Sequence, residues 1–302
     1  MSDALVAEEP DMGHCHACLL EGRAVLRVSG PDARKFLQGL ITNDMAKAQA
    51  GRAIHAGLLS PQGKILFDFF LAPDGDSLLI DVARDKAEEL LQRLGFYRLR
   101  ARVEIAPMPS LEVAAVWGGV PKPPDGGIVY ADPRLAALGF RVIFTKGAQA
   151  GVLGCAAASE GDYHALRIEL GVPEGGRDYA FGDAFPHEAL FDELNGVDFA
   201  KGCYVGQEVV SRMEHRGTAR KRIVRVDATM PLPAPGTSIE ADGVPIGTLG
   251  SVSGKSGLAM IRLDRAETAV RAGKALTAGG IEVVLHRPAF AHFAVPLTGA
   301  AT

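Results

Sequence analysis

The sequence has no apolar run long enough to cross a membrane, because charged residues interrupt each one. It also lacks a basic excess. Thirty-two Lys and Arg against 36 Asp and Glu leave a net charge of -4 and a pI near 6.1, so no global field draws the chain to nucleic acid. The N-terminal stretch MSDALVAEEPD has neither the charged and apolar blocks of a signal peptide nor an Arg-rich presequence, which predicts a cytoplasmic protein. Cysteine is scarce. Cys15, Cys18, Cys155 and Cys203 are the four, and in a cytosolic chain of this size they predict no disulfide framework. No repeat of fixed period and no low-complexity tract is present.

What remains is ordinary globular composition, 47% hydrophobic and 23% charged, in a chain long enough for one large domain or two moderate ones. Strand patterns cover 24–28, 78–82, 102–105, 111–116 and 140–144. His55 to Leu59 and Ile65 to Leu71 flank the turn Ser60-Pro61-Gln62-Gly63 and read as a hairpin. Helices are predicted from Pro31 through Leu40, over 85–94 and over 162–170, and an exposed connector over 118–127. The Gly-, Pro- and Asp-rich stretch 171–186 reads as a long loop, a kind of segment that is often functional. Beyond about Gly217, short β-prone runs at 222–227, 237–240, 244–249, 257–262 and 281–286 are punctuated by Pro and Gly. The prediction is a large α+β domain over 15–216 and a small antiparallel β-barrel over 217–298.

The most informative stretch is Lys201-Gly202-Cys203-Tyr204-Val205-Gly206-Gln207-Glu208. A lysine two residues from a cysteine favours thiolate over thiol, and so would a helix beginning after Gly206. Tyr204 can stack on a planar ligand or simply pack. Gln207 and Glu208 bring an amide and a carboxylate close. Against this stands the plain alternative that a lone cysteine is a small buried apolar residue.

These eight residues resemble the signature of the YgfZ family, a branch of the proteins related to the glycine-cleavage T-protein. Phe36 through Asp44, Leu59 through Asp68 and Arg167-Ile168-Glu169-Leu170-Gly171 resemble other family segments in the same order, so that the likeness spans roughly residues 18 to 290. It implies a T-protein-like fold with a central channel, tetrahydrofolate or a one-carbon derivative as ligand, and support of iron–sulfur protein assembly or repair. By the same likeness, Cys203 and Lys201 form the reactive centre. Glu169 holds the pterin edge through two parallel hydrogen bonds. Asn43, Asp81, Asp68, Tyr204 and Gln207 line the ligand, although Asp81 stands where relatives carry Asn. The expected partners are folate and iron–sulfur clients, met by a monomer.

The competing enzyme reading is a folate-dependent aminomethyl- or methyltransferase, or a demethylase. Transferases of this kind carry an Asp-Asp pair after the hairpin; here it reads Phe67-Asp68, and adjacent strand residues face opposite ways. The prediction is therefore no glycine-cleavage activity. A third reading is a folate sensor without thiol chemistry.

Three further signals carry less. His14-Cys15-His16-Ala17-Cys18 is dense in metal-capable groups but lacks the separated pairs of a zinc site, so no metal is expected. Cys155 lies among alanines and reads as core. Arg212, Arg216, Arg220, Lys221, Arg222 and Arg225 form a basic cluster with few aromatics between them. A solvated face is expected there rather than specific nucleic-acid binding, although some YgfZ relatives are connected to tRNA modification.

Overall fold

The computed structural model describes residues 15–147, 150–217 and 219–296. The N-terminal stretch, His14 and the last two residues of the expected barrel span lie outside them. In chain order the strands are β1 (His16–Leu19), β2 (Arg23–Ser29), β3 (Ile54–Leu59), β4 (Ile65–Asp74), β5 (Ser77–Ala83), β6 (Glu104–Pro107), β7 (Leu111–Trp117), β8 (Ile128–Ala131), β9 (Phe140–Thr145) and β10 (Ala156–Ala157). A second run follows: β11 (Lys221–Ala228), β12 (Ser238–Ala241), β13 (Val244–Ser253), β14 (Ser256–Arg262), β15 (Leu276–Ala278) and β16 (Ile281–His286). The helices are α1 (Ala33–Gln38), α2 (Ala87–Arg98), α3 (Glu160–Leu170), α4 (Gln207–Arg216) and α5 (Leu263–Arg271).

They build three sheets: β3-β4-β5-β2-β6, then β10-β1-β7-β9-β8, and a closed barrel β11-β14-β13-β12-β15-β16. Period-two alternation in β4 explains how the first sheet packs on both faces. Phe67, Phe69 and Leu71 turn to the layer holding Leu37 and Leu90, whereas Phe70 and Ala72 turn to the middle of the protein. Burying each such side chain contributes about 1.5–3 kcal/mol. Helix α3 is fixed at both ends. Ser159 and Asp162 form a reciprocal cap, and Gly171 ends the helix in the left-handed conformation (φ 80°) that glycine adopts without strain.

Residues 171–206 contain no helix or extended strand. The segment does not run over the surface as loops usually do. Ala184, Ala189, Leu190, Phe191 and Leu194 are buried within it, in the core shared with both open sheets. The hairpin, α1, α2, α3 and the expected strands of the barrel are where the pattern places them; β1, β8, β10, β15 and α5 are additions.

Cys15 and Cys155 correct the expectation of no disulfide. They are bonded across 140 residues and tie the entrance of β1 to the chain just before β10, with Cα atoms 4.8 Å apart. Strand pairing explains the meeting: β1 and β10 run parallel, with His16 opposite Ala156, which places the preceding residues side by side.

Candidate functional site

Cys203 is exposed, on a turn three residues ahead of Gly206, which precedes α4 in a left-handed conformation (φ 82°). That glycine is required by contact as well as by φ. A Cβ on Gly206 would sit 2.6 Å from the Ser60 carbonyl oxygen, and one on Gly63 would sit 2.9 Å from Val209 Cβ. The two glycine-bearing motifs therefore touch, and the β3–β4 turn sets the position of α4 and of the segment leading into it. The other thiols are unlike Cys203. Cys15 and Cys155 are paired, and Cys18 is buried, with burial pushing its thiol up to about 12.

Lys201 does not serve the thiol. Its side chain is buried, and Nζ donates to three backbone carbonyls, of Gln38 at 2.8 Å, Ile41 at 2.5 Å and Asn43 at 3.0 Å. An ammonium has three hydrogens, and all are engaged. The expected cationic partner of Cys203 is thus a strut that closes the carbonyl end of α1 and the turn after it. Burial lowers its ammonium to about 8. Tyr204 is likewise structural: it is buried, its ring lies 5.0 Å from Lys201 Nζ, and burial pushes its hydroxyl up to about 12. Gln207 is the half-buried first residue of α4, its N–H donating to the Tyr204 carbonyl at 3.3 Å.

Between the two open sheets and α3 lies a polar hollow lined by four arginines, Arg23, Arg134, Arg141 and Arg167. Asp81 is fully buried, with Arg23 Nε at 2.6 Å, Arg141 Nη2 at 2.7 Å and the Tyr130 hydroxyl donating at 3.2 Å. Burial alone would raise its pKa, but the two guanidiniums outweigh that and hold the carboxyl below its ordinary range. Arg134 pairs with Asp132 at 2.7 Å, while Arg167 pairs with Asp178 at 2.7 Å and with Glu174 at 3.2 Å. The carbons at the heads of Arg23, Arg134 and Arg141 lie 5.6, 4.9 and 4.4 Å from the centre of the Phe70 ring. Four guanidiniums thus meet four carboxylates, Asp81, Asp132, Asp178 and Glu174, and two further carboxylates, Asp68 and Glu160, line the same hollow.

The expected ligand residues disperse on this frame. Asp68 does line the hollow, on the same strand face as Phe70, and accepts from the Tyr179 hydroxyl at 2.7 Å. Phe67 is buried on the opposite face, in the core. Of the Phe67-Asp68 pair, Asp68 is thus the one that presents its side chain to the hollow. Asp81 is enclosed by its arginines instead of facing a ligand. Glu169 is exposed near the end of α3, where its carbonyl accepts from Arg225 at 3.3 Å, and it is not part of the hollow's wall. In α3 Arg167 points inward, and the two helical steps from it, about 200°, turn Glu169 to the opposite side. Asn43 is buried and engaged throughout: Nδ2 donates to the carbonyls of His55 and Asn195, and Oδ1 accepts from Asp44 N–H.

Between these side chains the central hollow leaves little room for tetrahydrofolate. The hollow has about 20 Å³ of free space, enough for one water molecule. Small-molecule sites usually need several hundred. A second cavity of about 290 Å³ opens beside Asn43, Lys47, Arg52, His55, Asp132 and Asn195. Its wall offers no free carboxylate for an amino-pyrimidine edge, since both Asp132 oxygens accept from Arg134. His55 there is neutral. Burial, aided by Arg134, lowers it to about 4, and Nδ1 lies 3.2 Å from the Leu194 carbonyl.

Residues 220–293 match the C-terminal β-barrel domain of CAF17. The human mitochondrial iron–sulfur cluster assembly factor IBA57 is 35% identical over 285 residues, which cover 84% of this chain and 79% of that protein. The chain belongs to the IBA57 family. The mouse member is 34% identical over 289 residues, covering 85% and 81%, and the Neurospora crassa homologue 36% identical over 227 residues, covering 68% and 52%. These relatives are named as mitochondrial, which overturns the cytoplasmic expectation read from the acidic N-terminus. The fold is that of the glycine cleavage system aminomethyltransferase T from Bartonella henselae, with a TM-score of 0.74, 16% identity, and coverage of 92% of this chain and 86% of that one.

The arginines of the hollow went unnoticed in the sequence. They come from four separate places, at 23, 134, 141 and 167. Arg23 and Arg141 sit at inward strand positions among apolar residues, and that alternation was the available signal.

Proposed function

We propose that this chain supports iron–sulfur cluster assembly, as its IBA57 relatives are named for doing, and that it acts through the thiol of Cys203. The observation that carries the second part is the contrast among the cysteines. Two are paired, one is buried and protonated, and Cys203 alone among the described residues is a free, exposed thiol. Thiolates are the soft ligands that iron and sulfide prefer. One cysteine cannot complete the four-thiolate set of a cluster, so a partner protein must supply the remaining ligands. Lys201, Gly206 and Gly63 hold the turn in place while making no bond to the cargo. No step is assigned to folate, and Glu169 has no part in the mechanism.

The test is complementation of a strain lacking this factor, scored by the activity of an iron–sulfur enzyme. Cys203→Ala is expected to abolish rescue, and Glu169→Ala to retain it. Full rescue by Cys203→Ala would leave a scaffold with no thiol chemistry. Loss of rescue by Glu169→Ala together with folate binding by the wild type would restore the folate reading.

A further inference from the structure

The basic run that the sequence marks as a solvated face acquires an apolar neighbour in the fold. Val209 and Met213 stand one turn apart on α4 and, with Phe185, floor a groove of about 350 Å³ beside the start of the barrel. Arg220, Lys221, Arg262 and Glu188 rim it. Glu188 is already engaged, accepting from the Phe185 N–H at 2.9 Å, and Arg262 is held by Asp264 at 2.8 Å. Arg220 and Lys221 are exposed, as is Arg216 at the end of α4, and none has a carboxylate within ion-pair reach among the described residues. Val210 is the one buried residue of α4, and Val209 and Met213 stay half-exposed toward the groove.

An apolar floor under unpaired cations is complementary to an apolar stripe flanked by carboxylates. Nucleic acid suits it less. Phe185 is the floor's one aromatic ring, and Lys64 Nζ already covers it at 3.4 Å from its centre. Position supplies the second argument. Cys203 precedes Val209 by six residues and is at most about 20 Å from it by chain reach, so a protein seated in the groove can bring its own ligands to the thiol.

We propose that this groove docks an acidic, amphipathic segment of the protein that shares the Cys203 cargo, with apolar side chains on Val209 and Met213 and carboxylates toward Arg216, Arg220 and Lys221. The proposal rests on the assembly role given above and names the chemistry of its partner.

The probe is a synthetic twelve-residue peptide with leucines at helical spacing and glutamate elsewhere, ending in a cysteine carried as a mixed disulfide with thionitrobenzoate. The Cys203 thiolate attacks the peptide's sulfur. A Cys203–peptide disulfide forms, the peptide–thionitrobenzoate bond breaks, and thionitrobenzoate leaves as a coloured thiolate while the thiol proton passes to buffer. Release is expected at least tenfold faster with the glutamate peptide than with its lysine counterpart. That advantage should shrink as salt is raised and fall at least fivefold in Arg220→Glu/Lys221→Glu; Cys203→Ser provides the blank. Equal rates for the two peptides, or rates unchanged in the double variant, overturn the proposal. So does a leucine-free glutamate peptide as fast as the first, or a mixed-sequence RNA dodecamer that competes as well as the peptide. A fluorescent form without the cysteine should still bind Cys203→Ala, which separates failure of docking from failure of the thiol's role.

Discussion

Replacing Lys201 with methionine separates a strut from an activator. Methionine keeps the length and apolar stem of the side chain but removes the ammonium, leaving the carbonyls of Gln38, Ile41 and Asn43 without their donor. A buried acceptor left unpaired costs about 1–3 kcal/mol. Some of the three will recruit water or share another donor, so a loss of roughly 3–5 kcal/mol in all is expected. In a chain of this size that lowers the melting temperature by about 5–8 °C. Lys201→Arg should restore little, because a planar fork cannot aim at three carbonyls converging on one point. The thiol provides the second readout. Since no hydrogen of Lys201 is left for Cys203, the labelling rate of Cys203 by a neutral disulfide reagent, measured well below the melting temperature, should stay within about threefold of wild type. A tenfold slower thiol in a protein of unchanged melting temperature would refute this reasoning and make Lys201 the activator that its sequence position suggests.

Three other outcomes follow from the same structure. His55 has a folded pKa near 4 against an ordinary 6.5. The unfolded chain binds the extra proton first, so stability is full above about pH 6.5 and is lost as pH falls toward 4, by roughly 3 kcal/mol; urea titrations at pH 7 and pH 4.5 should show the drop, and His55→Gln should reduce it. Cys15→Ser is expected to cost about 2–4 kcal/mol in denaturant unfolding while leaving Cys203 labelling unchanged. Gly206→Ala combines a positive φ with a contact 2.6 Å from the Ser60 carbonyl; a loss of about 2–4 kcal/mol should come with weaker complementation, and a fully active, equally stable Gly206→Ala protein would show that the turn is not held by this contact.

The elements most readily read from sequence are those whose signal is local. The Ser60–Gly63 turn between two apolar runs gives β3 and β4, and the Gly171 stop after α3 is a local φ requirement. The barrel is visible as short apolar runs with turns between them. Strands β15 and β1 were missed because three or four residues carry too little periodicity to distinguish them from loop. Helix α5 was missed because just Ala266 and Ala269 of its nine residues are buried, too narrow a stripe to register.

Pairing partners are the harder part. In sequence, Lys201 is two residues from Cys203 and about 160 from the carbonyls it serves; in space the carbonyls take it. Glu169 and Arg167 are two residues apart on one helix and face different surroundings. Cys15 finds Cys155 through parallel pairing of two short strands, which no spacing rule reveals. The sequence by itself determined the hairpin, the barrel and the cysteine motif, because turn chemistry and apolar period act within a few residues. Tertiary structure alone decided which charged groups neutralise one another, how little room the central hollow keeps, and that one thiol of four is left open to solvent. Electrostatic pairing and packing act through space, between residues whose separation along the chain carries no trace of their contact.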